Sequence, residues 1–148
     1  MTKLYSPGLQ TTLKTPLEQA FDLNATSFLE LADIVAAGAP YAALSRGAAL
    51  LSLSEPRFAE VIGIPPTTLS RRRKAGHLSR EESERLYRFV RLLERATDVL
   101  EDAAYAKTWL DTPNDAFGGK TPLQTAKTEP GAQAVHALLT RVEYGVFS

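Results

Sequence analysis

The chain has 148 residues, of which 44% are hydrophobic and 23% are charged, and these proportions are typical of a globular protein. Its length fits one domain or two very small ones. The absence of cysteine excludes a disulfide framework, a thiolate metal site and a cysteine nucleophile. With two histidines in the whole chain, we expect no histidine-rich metal site and no cofactor.

No apolar run approaches the roughly 18 residues that a membrane-spanning helix requires. The first ten residues, MTKLYSPGLQ, lack the apolar segment of a signal peptide. The sequence therefore predicts a soluble, cytoplasmic protein without a membrane partner.

Charge is distributed unevenly along the chain, although the total is zero. Residues 1–54 have a net charge of −1, residues 55–97 of +4 and residues 98–148 of −3. The positive excess is densest in residues 66–80, which contain five basic residues and no acidic one. A basic middle beside an acidic end indicates two surfaces with different partners.

Helical periodicity extends over most of the chain. The first 25 residues are predicted to form a flexible arm, after which Ser27 and Glu30 have the spacing of a capping box. A weaker apolar stripe predicts a second helix over residues 40–53. Ser54 is a candidate N-cap for a short third helix. The apolar stripe of the helix after Ser27 consists of Phe28, Leu31, Ala32 and Val35.

The longest predicted helix begins at Ser79 and Glu82, another capping-box pair, and its apolar face continues for about five turns to Leu100. Shorter helices are predicted around residues 103–110 and after Thr121 and Thr128, where a proline lies in the first turn. No segment alternates as a strand would. The sequence therefore predicts an all-α fold.

Residues 58–74, FAEVIGIPPTTLSRRRK, fit a helix-turn-helix. Ala59 is small where the two helices must cross, and Gly63 stands four positions later, at the turn. Ile62 and Ile64 flank this glycine, and Leu69 is predicted to point back from the second helix into the core. The candidate DNA-binding residues on the second helix are Thr67, Thr68, Ser70, Arg71, Arg72, Arg73 and Lys74.

Short hydroxyls and arginine can reach phosphates and guanine edges in the major groove, and each neutralised phosphate releases counterions. The simpler alternative is a surface helix with a solvated basic run. Two positions depart from the usual helix-turn-helix pattern. Pro65 stands where a Ser or Thr cap is common, and Arg72 stands where an apolar residue usually points inward.

No pattern of catalytic residues is visible in the sequence. Glu81 and Glu82 are adjacent on a helix, so their side chains point about 100° apart and do not face one substrate. Ser79 and Ser83 have no histidine placed by any pattern to activate them. We therefore predict no catalytic residues and no enzyme activity.

A turn-rich segment, WLDTPNDAFGGKTPL, occupies residues 109–123. Taken alone, it needs only a structural interpretation, with Trp109, Leu110 and Leu123 in the core and Gly118 and Gly119 in a turn. It follows the basic helix-turn-helix and GHLSREESERLYRFVRLLERA, and it precedes TEPGAQAVHALLTRVEYGVFS. In sequence and in order, these segments closely resemble the Xre-type antitoxins of the MbcA/ParS/Xre family.

The resemblance covers residues 44–148 and is strongest from Gly76 onward. It implies an Xre-like DNA-binding region over residues 26–78 and a small helical toxin-binding region over residues 79–148, with residues 79–100 as the connecting helix. It also implies a RES-domain toxin partner that has an ADP-ribosyltransferase-like fold and degrades NAD. The antitoxin would obstruct the toxin's active site and would repress its own promoter through operator DNA.

The resemblance further implies a homodimer within a toxin–antitoxin hetero-oligomer. An acidic C-terminal third suits this partner, because a site that binds NAD phosphates tends to be basic. The toxin-binding candidates carried over from the family are Arg141, Glu143, Tyr144, Gly145, Val146 and Phe147 near the C-terminus, together with Pro113, Phe117, Gly118 and Gly119.

A stand-alone transcription regulator with a C-terminal dimerisation domain remains the alternative. Such a protein would purify as a stable homodimer without a co-expressed partner, and this behaviour would distinguish it from an antitoxin.

Overall fold

A computed structural model describes residues 13–145, and this range contains helices and no strand. The all-α prediction is confirmed. None of the described helices is both long and apolar enough to span a lipid bilayer. The helices are α1 (Pro16–Phe21), α2 (Phe28–Ala37), α3 (Tyr41–Leu50), α4 (Glu55–Val61), α5 (Pro66–Ala75), α6 (Arg80–Leu100), α7 (Ala103–Leu110), α8 (Pro122–Thr125) and α9 (Glu129–Glu143), with a short 3-10 helix at Asp115–Phe117.

Helix α6 is the central element of the fold. As predicted, it begins at a capping box, in which Ser79 Oγ accepts from the backbone N–H of Glu82 and the Glu82 carboxylate accepts from the N–H of Ser79. Helices α1, α2, α3, α7 and α9 all pack against it. The apolar side chains that it buries are Leu86, Phe89, Val90, Leu92, Leu93 and Ala96.

The predicted flexible arm over residues 1–25 is wrong for part of its length. Residues Pro16–Phe21 form α1, which begins at a capping box made by Thr15 and Glu18. Six residues span fewer than two helical turns, so no apolar period could reveal this helix in the sequence. Residues 1–12 lie outside the described part of the chain. The side chains that anchor α1 and the following turn in the core are Leu17, Ala20, Phe21 and Leu23.

Helix α2 begins at Ser27 as predicted, with Ser27 Oγ accepting from the N–H of Glu30. The predicted apolar stripe, however, faces the core only in part, with Leu31 buried and Val35 half-buried. Helix α2 packs mainly against α6, and of its residues only Leu31 is buried. Phe28 is 63% exposed although it lines the same groove as Tyr87 of α6, and Leu29, which is not part of the predicted stripe, is 79% exposed.

Helices α4 and α5 form the predicted helix-turn-helix. Gly63 lies in the turn with φ +79°, a left-handed conformation that glycine adopts without steric cost. The C-terminal end of α5 is tied to the start of α3, since Tyr41 N–H donates to Gly76 O and Leu78 N–H donates to Ala39 O. Leu69 is buried as predicted, and the other motif residues that are buried are Ala59, Ile62 and Ile64.

The C-terminal region consists of α7, α8 and α9, packed beside the second half of α6. Leu110 and Leu123 are buried as predicted, while Trp109 is half-buried against the same core. Helix α8 begins at a capping box formed by Thr121 and Gln124. The motif segment thus supplies core residues and leaves its turn residues at the surface.

Candidate functional site

Helix α5 has one fully exposed face. Thr67, Ser70, Arg71 and Lys74 lie at spacings of three, four and seven residues, which places them on one side of a helix, and all four are exposed. No ion pair within the described residues engages Arg71 or Lys74. Thr68 is half-buried at the edge of this face and accepts a hydrogen bond from Arg71. The face therefore presents hydroxyl groups and two cations, which are groups that can bind the phosphates and base edges of duplex DNA.

Arg72 points away from this face, toward α6. Its guanidinium donates from Nε to Glu82 Oε1 at 2.7 Å and from Nη2 to Glu82 Oε2 at 3.2 Å. Burial disfavours the charged form of Glu82, but hydrogen bonds from Arg72 and from the Ser79 backbone outweigh it and hold the pKa of Glu82 below its ordinary value. The assignment of Arg72 to the DNA-binding set is therefore corrected, because its position on the helix directs it to an internal partner.

Arg73 lies on the opposite flank of α5. Its guanidinium stands over the ring of Tyr41, 5.7 Å from the ring centroid, and its Nη2 is 3.5 Å from Glu55 Oε1. Tyr41 donates its hydroxyl to the same Glu55 oxygen at 2.7 Å, and this hydrogen bond lowers the pKa of Glu55. Because 56% of the Arg73 side chain remains exposed, it can still approach a phosphate. Its role in DNA binding stays a prediction.

The groups that hold α5 in place were not predicted from the sequence. The Ser79–Glu82 spacing indicated a helix cap, and nothing in it indicated a partner for Arg72. Arg85 was also missed, although its Nε donates to Ile62 O at 2.6 Å and closes the C-terminal end of α4. Only the folded arrangement brings these residues to the helix-turn-helix.

The loop between α7 and α8 is closed by its own hydrogen bonds. Asn114 accepts at its side chain from Ala116 N–H, and the backbone N–H of Asn114 donates to Lys120 O. Gly118 and Gly119 both have positive φ, at 66° and 86°, and nothing lies within 4 Å of a Cβ placed on either. Of the toxin-binding candidates in this loop, Phe117 is half-buried, while those exposed to solvent are Pro113, Gly118 and Gly119.

The last turn of α9 is held by Arg95 of α6. Arg95 donates two hydrogen bonds to Glu143, at 2.7 and 3.2 Å, and one to Thr140 Oγ1 at 3.3 Å. The hydrogen bond from Arg95 lowers the pKa of Glu143, so the carboxylate is charged and paired. Glu143 thus already faces Arg95 within the chain, and its contact with a toxin stays a prediction.

Tyr144 and Gly145, the described residues that follow Glu143, are exposed to solvent. Tyr144 donates its backbone N–H to Thr140 O, and its side chain is 74% exposed. Arg141 is also exposed. Val146 and Phe147, the remaining candidates, lie outside the described residues. No hydrogen bond or ion pair between described residues joins this end of the chain to the loop at Gly118 and Gly119.

The helix-turn-helix and the C-terminal region also meet away from α6. Arg57 of α4 pairs with Asp111 at 3.0 Å, and Lys107 of α7 donates to Ser52 Oγ at 3.1 Å. Within residues 13–145, no cluster of His, Asp and Glu side chains is arranged to hold a metal ion. The exposed face of α5 and the candidate toxin-binding residues of the C-terminal region are thus two surfaces of one packed fold.

Comparison with known families identifies both halves of the chain. Residues 30–91 match the antitoxin Xre-like helix-turn-helix domain, and residues 95–145 match the antitoxin Xre/MbcA/ParS C-terminal toxin-binding domain. The fold and the two surfaces therefore define an antitoxin in which a helix-turn-helix domain is followed by a toxin-binding domain. The second match favours this class over a stand-alone regulator.

Relatives of known name agree with this class. An Antitoxin Xre from Yersinia enterocolitica is 40% identical over 99 residues, covering 66% of this chain and 67% of the relative. Those from Pseudomonas putida and Photorhabdus laumondii are each 36% identical, covering 55% and 60% of this chain and 52% and 61% of their own lengths. The chain belongs to the Xre antitoxin family, as the sequence resemblance predicted.

Proposed function

We propose that this chain neutralises a cognate RES-domain, NAD-degrading toxin by covering its active site with the C-terminal tail. The observation that carries the proposal is the exposed Tyr144, which follows directly on a helical turn clamped by Arg95. A large aromatic side chain that is exposed beside a fixed helical turn adds little to the stability of the free chain. The same side chain can add strongly to the free energy of binding when a partner buries it. The exposed loop with Pro113, Gly118 and Gly119 is the proposed second contact.

The test is co-expression with the cognate toxin and measurement of cellular NAD. Deletion of residues 144–148 should leave the toxin active, so that cellular NAD falls and growth stops. The fold should stay intact, because few buried backbone hydrogen bonds end in this segment. Tyr144→Ala should weaken binding by about 1–3 kcal/mol if Tyr144 is an anchor. Tyr105→Ala is the matched control, since Tyr105 is another tyrosine more than half exposed but lies on α7, outside both proposed contacts. Preserved NAD with the deletion variant would contradict the tail model.

We also propose that the chain represses its own promoter. Thr67, Ser70, Arg71 and Lys74 would enter the major groove from α5, and Arg73 would add charge at its flank. In this proposal the protein acts as a homodimer, free or within the toxin complex, on two half-sites about one helical turn, roughly 34 Å, apart.

Footprinting of the region upstream of the gene tests the repressor proposal. Protection of a palindromic site is expected at low salt, and the double variant Arg71→Ala, Lys74→Ala should lose it. Arg80→Ala removes a nearby exposed arginine outside this face and provides the control. Absence of any protected site at low salt, with the free antitoxin and with the toxin complex, would overturn the repressor proposal and leave the toxin proposal in place.

A further inference from the structure

A concavity of about 720 Å³ lies between the two helices of the helix-turn-helix. Its apolar lining includes Ala59, Ile64 and Leu69. Arg57 lines it from α4, and Ser70 lines it from α5. Because Ser70 belongs to the exposed face of α5, Arg57 lies beside the proposed DNA contacts although it stands on a different helix.

The place of α4 in the motif brings Arg57 toward the DNA backbone. In a helix-turn-helix the second helix enters the major groove, and the first helix crosses the sugar-phosphate backbone. Here α4 is the first helix and α5 is the second. When α5 occupies a groove, an arginine of α4 that lines the space beside Ser70 is positioned to meet a phosphate. The sequence did not indicate this role for Arg57.

Most of the Arg57 guanidinium is available to such a partner. Its Nη2 donates to Asp111 Oδ1 at 3.0 Å, and this is its only hydrogen bond to a described residue. The side chain is 49% exposed. A guanidinium carries several N–H donors in a planar fork that matches phosphate, so its remaining donors can engage a phosphate oxygen.

The ion pair of Arg57 differs from the other ion pairs of the helix-turn-helix. Among the described residues, the ion pairs of α4 and α5 are those of Arg57, Arg72 and Arg73. The partners of Arg72 and Arg73 lie within residues 30–91, the helix-turn-helix domain. Asp111, the partner of Arg57, belongs instead to the toxin-binding domain.

Asp111 is held in place from its own side. It is the C-cap of α7, and its backbone N–H donates to Lys107 O at 3.3 Å. The preceding Leu110 is fully buried. Lys107 also donates to Ser52 Oγ at 3.1 Å, in the turn before α4. Asp111 therefore stays where it is, whereas Arg57 can leave it by rotation of its own side chain.

We propose that Asp111 and a DNA phosphate compete for the guanidinium of Arg57, so that the toxin-binding domain lowers the affinity of this chain for DNA. Carboxylate and phosphate bind a guanidinium through the same planar hydrogen-bond geometry. An exposed ion pair is weak enough for a phosphate to displace the carboxylate. The inference rests on the proposed operator binding, since it requires α5 to meet DNA.

Fluorescence anisotropy with the full chain at low salt tests the competition. Two labelled duplexes of equal length are used, one from the region upstream of the gene and one of unrelated sequence. Phosphate contacts carry no sequence information, so both duplexes report on Arg57.

Asp111→Asn should raise the affinity for both duplexes by about two- to fivefold, because DNA no longer has to displace an exposed ion pair. A folding defect cannot produce such a gain. Asp115→Asn is the matched control, since it removes the same charge at an exposed position of the same loop and outside the concavity. It should leave the affinity nearly unchanged.

Arg57→Ala should weaken binding to both duplexes and reduce the slope of log affinity against log salt by about 0.9, the value for one phosphate contact. In the Arg57→Ala background, Asp111→Asn should have no effect, because no guanidinium remains to be released. Arg80→Ala removes an exposed arginine outside the concavity and should keep the wild-type slope.

Two results would overturn the inference through Asp111. An Asp111→Asn variant with wild-type affinity would show that there is no competition. An equal gain from Asp111→Asn with and without Arg57 would show that Asp111 repels DNA directly. An unchanged salt slope for Arg57→Ala would also overturn the inference, because Arg57 would then meet no phosphate.

Failure of the repressor proposal gives a different result. If the wild type binds both duplexes equally and the Arg57 and Asp111 variants behave as expected, the competition stands and the repressor proposal fails. If the wild type prefers the upstream duplex and neither substitution matters, the repressor proposal stands and the inference fails. A wild-type chain that binds neither duplex contradicts both.

Discussion

Arg72 and Glu82 join the second helix of the helix-turn-helix to the first turn of α6 through two hydrogen bonds. Glu82 is 6% exposed, and its Oε1 also accepts from the backbone N–H of Ser79 at 2.8 Å. A single carboxylate thus caps one helix and orients the other. The orientation of α5 thus depends on a residue that points away from its exposed face.

Arg72→Met should destabilise the fold by about 1–3 kcal/mol. It leaves the buried Glu82 carboxylate without its cation, and the cost stays below that of breaking a fully buried pair because 28% of the Arg72 side chain is exposed. Urea denaturation measures the change. Arg80→Met breaks an exposed 3.9 Å pair with Glu84 and should cost less than about 0.5 kcal/mol. Equal losses in the two variants would refute the anchoring role of Glu82.

Salt dependence of binding should separate Arg71 and Lys74, the proposed DNA contacts of α5, from the internally paired Arg72. Arg71→Ala and Lys74→Ala should each reduce the slope of log affinity against log salt by about 0.9, the value for one lost phosphate contact. Arg72→Met should lower affinity without changing this slope, because it alters the position of α5 and removes no contact. A reduced slope for Arg72→Met would show that Arg72 reaches the DNA after all.

Arg95 should act on toxin neutralisation through the position of the tail. Arg95→Met removes the guanidinium that holds the last turn of α9, and Glu143→Gln weakens its hold by removing the ion pair, so both variants should weaken neutralisation. Amide hydrogen exchange at Tyr144 should accelerate in both variants, because the turn that holds its N–H frays. If Glu143 touched the toxin directly, Glu143→Gln would be far more harmful than Arg95→Met, and amide exchange would not predict the loss.

Acid should destabilise the chain through His136. Burial, followed by the positive charges of Arg91 and Arg95, lowers the pKa of His136, and Glu129 opposes this only in part. Below the ordinary histidine value of about 6.5, the unfolded chain therefore binds a proton that the folded chain does not, and stability falls as pH falls. His136→Gln should flatten this dependence in urea midpoints measured between about pH 7.5 and 5.5. A His136→Gln variant that keeps the wild-type pH dependence would contradict this role of His136.

Gly131→Ala should destabilise the chain although it lies in a helix, where alanine is normally favoured. A Cβ at Gly131 would lie 1.8 Å from the carbonyl oxygen of Thr125, so α8 and α9 would have to move apart. The expected cost is about 1–3 kcal/mol, as for other overpacked sites. Gln133→Ala, at an exposed position of the same helix, should be nearly neutral in the same thermal unfolding experiment. A stabilised Gly131→Ala variant would contradict the close approach.

The helices and the helix-turn-helix were predictable because their signals are local. Caps at Ser27 and Ser79 and the inward position of Leu69 are set by neighbours within a few residues of sequence. These features depend on helical spacing and on nearby hydrogen bonds, and both are visible in the sequence.

The electrostatic partners were not predictable, because they come from distant parts of the chain. Arg72 and Glu82 are 10 residues apart, and Arg95 and Glu143 are 48 residues apart. In each pair the sequence showed a charge suited to an external partner, and the fold supplied an internal one. The exposure of Phe28 has a similar origin, since its apolar period predicted a buried face and tertiary packing covers only the part of that face at Leu31 and Val35.

Helix α6 is shared by both regions without a break, with Glu82 near its start holding α5 and Arg95 further along it holding α9. A chimera that joins the DNA-binding half of one antitoxin to the toxin-binding half of another must therefore keep the helical phase at the junction. One extra residue would turn one half by about 100° relative to the other, and four would nearly restore the angle with a shift of about 6 Å. Toxin specificity and operator specificity can therefore be recombined only through junctions in α6 whose insertions or deletions keep the two halves in their original relative orientation.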